Sequence, residues 1–130
     1  MNSFRIALSV IISLMLLTAS SAFAADDKAS AATRSMAEIM IGLNHYPSDA
    51  EKDKLNKLAA EATTSANEKT IAHALINLKH KAADADRLKL EAVTKDASAP
   101  AGVKSLASIL LSLNHHPSDA DVATLKQIAK

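Results

Sequence analysis

Cysteine and tryptophan are absent from this 130-residue chain, and glycine (Gly42, Gly102), proline (Pro47, Pro100, Pro117) and aromatic residues (Phe4, Phe23, Tyr46) are scarce. Without cysteine there are no disulfides, no thiol catalysis, no thiolate metal ligands and no lipid attachment at sulfur. With two glycines, the backbone donors of an oxyanion hole or a phosphate-binding loop are hard to place. With one aromatic residue beyond position 24, stacking platforms for bases or sugars are excluded as well.

The first 24 residues read as a secretory signal. A short start carrying Arg5 is followed by an apolar run from Ile6 to Ala19, and Ala22 and Ala24 supply the small residues of a cleavage site. That run is shorter than the ~20 residues a membrane-spanning helix needs, and charged residues interrupt every later apolar stretch. The expectation is cleavage after residue 24, no membrane span, and one exported domain over 25–130. Export without disulfides points to a bacterial periplasm. Removing Arg5 with the signal leaves 14 basic and 14 acidic residues. Such a balance offers no electrostatic pull toward nucleic acid.

What remains is rich in helix formers. Residues 25–130 hold 23 alanines and only three valines, with leucine and isoleucine as the main large apolar side chains. The composition predicts an all-α domain.

An internal repeat organises it. Residues 36–50 (MAEIMIGLNHYPSDA) return at 106–120 (LASILLSLNHHPSDA), and a degenerate copy, IAHALINLKHKAADA, lies midway at 71–85. The reading is three degenerate 35-residue helix–turn–helix repeats, packed into a small helical bundle or a short solenoid. In every copy the first helix carries an apolar stripe at i, i+3, i+4, i+7: Met36, Ile39, Met40, Leu43, then Ile71, Ala74, Leu75, Leu78, then Leu106, Ile109, Leu110, Leu113. The aromatic and glycine positions of tetratricopeptide repeats, which have a similar period, are missing.

The turns carry their own chemistry. Asn44 and Asn114 are the residues expected to take the left-handed conformation that ends a helix. Ser48 and Ser118 are expected to cap the next helix, with Glu51 or Asp121 completing a capping box. Ser65 with Glu68 forms the same pattern. The middle copy has Lys79, Ala82 and Ala83 where its sisters have Asn, Pro and Ser. This leaves two possibilities: one helix of ~45 Å from Ser65 to Thr94, or a bend near Lys81–Ala83.

Four of five histidines fall at the junctions: His45, His80, His115 and His116. An aspartate follows four residues after the first three, giving the pairs His45/Asp49, His80/Asp84 and His115/Asp119. In the structural reading, each pair complements two helix dipoles and is joined by a hydrogen bond. In the functional reading, His45, His80, His115 and His116 are metal ligands, since imidazole suits zinc, copper or nickel. Equivalent positions in a linear array lie 8–10 Å or more apart, so one ion could bridge them only if the array closes on itself. No nucleophile, phosphate loop or His-Glu-x-x-His helix marks an enzyme.

The sequence therefore points first to an exported, non-catalytic helical scaffold without a cofactor. Its partner would be a protein or peptide, a second copy of the chain included. The second reading is a small periplasmic metal-binding protein.

Overall fold

The computed structural model describes residues 28–130, so the predicted signal at 1–24 lies outside it. Six helices make up the described chain: α1 (Ala31–Ile41), α2 (Asp49–Ala60), α3 (Ala66–Ile76), α4 (Asp84–Lys95), α5 (Ala101–Ser112) and α6 (Asp119–Ile128). Among the described residues there is no strand, and no helix is long and apolar enough to cross a membrane. The all-α reading holds. Helix starts recur at intervals of 35 residues throughout, in step with the sequence repeat.

The apolar stripes of α1, α3 and α5 face one another, and the three helices touch pairwise. Met36, Ile71 and Leu106 are fully buried at equivalent positions, as are Met40, Leu75 and Leu110. Ala37, Ala72 and Ala107 are fully buried too, and their small side chains let the helices approach closely. The second helix of each unit lies outside and packs on the first helix of the next: α2 on α3, and α4 on α5. The pattern then closes, because α6 packs on α1. Leu55, Leu90 and Leu125, one from each outer helix, are wholly buried under these contacts. The array is a ring of three units rather than an open solenoid.

The middle unit breaks in two. Helix α3 stops at Asn77, α4 begins at Asp84, and the long-helix alternative is not formed. Leu78 and Ala82, in the segment between them, are both buried in the core, and α4 folds back to pack on both α3 and α5. Ser48, Ser65 and Ser118 sit at the N-caps of α2, α3 and α6, each in a complete capping box. Ala83 leaves α4 without a side-chain cap.

Two carboxylates tie helices together, Glu68 between the first and middle units and Asp96 within the middle one. Glu68 is buried, and it accepts hydrogen bonds from the Ser30 hydroxyl, from Thr33 Oγ1 (2.7 Å) and from the Ser65 backbone N–H (2.8 Å). Burial works to raise its carboxyl, but those hydrogen bonds outweigh it and hold the group below its ordinary value. Asp96 accepts from Ser98 and from Asn67 Nδ2 on α3, which hold its pKa at about 2.

A carboxyl depressed in the folded state contributes stability above its unfolded value, and that contribution is lost as pH falls through the folded value. Melting temperature should therefore be insensitive to these two groups from pH 7 to 5 and should drop below about pH 4.5. Glu68→Gln should remove part of that acid slope. A variant that keeps the full slope would mean the bonds to Ser30 and Thr33 do not stabilise the ionised form.

Candidate metal centre

Ring closure brings the three repeat histidines to one point. The C-terminal ends of α1, α3 and α5 lead into the junctions that hold His45, His80 and His115. Ring centroids are 5.3 Å apart for His45–His80, 5.1 Å for His45–His115 and 5.0 Å for His80–His115. One nitrogen from each ring lies within 4.8 Å of the other two. His45 is half-buried, and His80 and His115 are exposed, so the cluster opens to solvent on its outer side.

Backbone hydrogen bonds hold the junctions together. The His45 N–H donates to the His115 carbonyl at 2.8 Å, and the His115 N–H donates to the His80 carbonyl at 2.8 Å. In addition, the His116 N–H donates to the Asn114 carbonyl at 2.9 Å, closing a three-residue turn about His115.

That turn sets His115 at φ +70°, and His45 stands at φ +72°. The left-handed residues are thus the histidines, not Asn44 and Asn114. The hydrogen bond from His116 to Asn114 makes His115 the central residue of a three-residue turn, here in its rarer positive-φ form. A Cβ at such a φ costs about 1–2 kcal/mol, and glycine would avoid the cost. His80 is not at positive φ, and its unit has lost the Asn, Pro and Ser of the turn. A histidine that persists at one position through two backbone conformations, strained in two copies, is not there for the backbone.

The nitrogen geometry suits a metal ion. Asn44 Oδ1 can only accept, so the 2.7 Å contact from His45 Nδ1 makes that nitrogen the protonated one. The lone pair is then on Nε2, the arrangement in which an outer hydrogen bond orients a metal-binding histidine. His80 Nδ1 and His115 Nδ1 are 3.2 Å apart. Two nitrogens bound tetrahedrally at ~2.0–2.1 Å to one zinc ion are themselves about 3.3 Å apart. The pair therefore already has the spacing of two ligands, and rotation of the exposed rings about χ1 and χ2 is the adjustment that remains. Packing alone explains the cluster less well. Edge-to-face aromatic pairs contribute about 0.5–1.5 kcal/mol each, and mostly when buried.

The other expected site residues fall differently. His116 stands outside the cluster, and its Nδ1 donates to the Pro117 carbonyl at 3.0 Å. Asp49, Asp84 and Asp119 each open a helix, where they oppose the positive end of its dipole. Among the described residues, no hydrogen bond or ion pair joins any of them to His45, His80 or His115. The histidine rings pack against one another instead. The aspartates stand at helix N-termini as that structural reading has it, while His45, His80 and His115 lie beyond the last turns of α1, α3 and α5 and are not bonded to them.

A second concavity, about 520 Å³, lies where α1, α3 and α5 begin, lined by Ser30, Thr33, Ser65, Glu68 and Gly102 among others. Its buried carboxylate, Glu68, is already satisfied by Ser30, Thr33 and Ser65. The chain matches no protein-family model, no curated protein and no solved structure. Function must be read from the histidine cluster itself.

Proposed function

We propose that this is a small exported metal-binding protein, non-catalytic, in which His45, His80 and His115 hold one divalent transition-metal ion. The observation that carries the reading is the convergence of three imidazoles, one per repeat, at the axis of the closed ring. An all-nitrogen set suits zinc, copper(II) or nickel, and the absence of cysteine argues against softer ions. The signal-like start supports a periplasmic location, where such a protein would buffer or carry the ion.

An ion held by all three units links the folded ring at its centre and is lost when the ring unfolds. Calorimetric titration with Zn(II), Cu(II) and Ni(II) should give one site per chain for at least one of them. At a free-ion concentration 100 times Kd, binding stabilises the fold by about 2.7 kcal/mol. For a domain of this size, that raises the melting temperature by roughly 10 °C or more. No heat, no shift and no one-to-one stoichiometry with any of the three ions would overturn the reading.

A further inference from the structure

Resting on that metal reading, we infer that the bound ion keeps an open position that takes a small ligand with an anionic oxygen donor, seated against the middle repeat. Three imidazoles fill three positions of a tetrahedral ion, and a site with three protein ligands leaves the fourth to water or an outside ligand. The exposed rings of His80 and His115 leave that position facing solvent.

The surroundings of the cluster are unequal on its three sides. Beside His45 stand Asn44 and Tyr46, the latter with Lys52 Nζ 5.7 Å from its ring centroid. Beside His115 stand Asn114 and His116. Beside His80 the same two positions are Lys79 and Lys81, and Ala82 and Ala83 take the places of proline and serine. A concavity of about 350 Å³ lies beside His80, lined by Asn77, Lys79, Lys81, Ala82, Ala83 and Asp84. Lys79 and Lys81 both line it.

Asp84 is the one carboxylate in the lining. Two lysines outnumber it, and the ion adds two further positive charges, so the local balance favours an anion. The middle repeat has neither the positive-φ turn nor the side-chain cap of its sisters, and it alone carries lysines on both sides of its histidine. An anionic oxygen would displace water from the ion on the side of His80, with Lys79 and Lys81 against its remaining charge. A carboxylate and a phosphate share this chemistry.

The test is Co(II) loading of the purified chain, with the visible spectrum followed as acetate or inorganic phosphate is added. Three nitrogens and a water should give the strong absorption of four-coordinate Co(II). Either anion should then change it saturably, the tighter of the two naming the ligand class. In the Lys79→Gln/Lys81→Gln double variant, affinity for that anion should fall about fivefold or more at low salt while Co(II) affinity does not fall, since two charges that repel the ion are gone. A spectrum that neither anion alters overturns the proposal and leaves the metal reading standing. So does a double variant that binds the anion as the parent does. A weak six-coordinate spectrum with two chains per ion also overturns it, because a second copy then fills the open face. Failure to bind Co(II), Zn(II), Cu(II) or Ni(II) at all would remove both readings together.

Discussion

His115→Gly should lower affinity for the preferred ion at least about 100-fold while leaving the metal-free protein nearly as stable as before. Loss of an outer-shell partner alone costs about 10–100-fold in metal affinity, so loss of one ligand in three must cost more. The stability side follows from φ +70° at His115. Glycine escapes a strain of about 1–2 kcal/mol at that φ. Against this stands its larger unfolded-state entropy, about 0.5–1 kcal/mol. The two nearly cancel, and the ring contacts with His45 and His80 are too exposed to add much.

If the imidazoles were there to pack, the same variant would destabilise the fold through the two lost edge-to-face contacts, and no ion would be involved. Calorimetric titration and a melt of the metal-free protein separate the two cases. Unchanged affinity in His115→Gly, or in His80→Ala where backbone strain plays no part, would rule out the tripod. His116→Ala serves as the control, since His116 lies outside the cluster.

Most of the helical framework is legible in the amino-acid sequence. The 35-residue period and the stripe at i, i+3, i+4, i+7 locate α1, α3 and α5, and the Ser-x-x-Glu/Asp boxes mark where α2, α3 and α6 begin. The turn is less legible. Propensity favours asparagine over histidine at positive φ, and only the backbone of the folded junctions shows that His45 and His115 take it.

Closure is the decisive feature, and the sequence hides it because the three inner stripes are nearly alike. A stripe of Met, Ile, Leu and Ala states that a face is buried, not which helix covers it. One signal does point that way. An open repeat array needs terminal units with a polar outer face. Here Leu125, on the outer helix of the last unit, is as apolar as Leu55 and Leu90 on the outer helices before it. Ends that stay apolar must bury one another. Once they do, His45 and His115 become neighbours, and the objection that repeat positions lie too far apart for one ion disappears.

Leu125→Ala is the direct test of that closure. Leu125 is the fully buried leucine of α6, the helix that packs on α1 across the seam between the last unit and the first. In an open array the corresponding helix would be a frayed end, and a substitution there would change stability by no more than about 0.5 kcal/mol. In the closed ring, the variant deletes buried methyl groups in a position with little freedom to collapse, and the loss should be about 2–5 kcal/mol. Leu55→Ala and Leu90→Ala, at the two equivalent positions, should cost similar amounts, whereas exposed Leu88→Ala should be close to neutral. Urea unfolding of the four variants supplies the comparison. Should Leu125→Ala behave like Leu88→Ala while the other two are severe, the seam is open. His45 and His115 would then be held apart, and the metal site would lose its geometric basis.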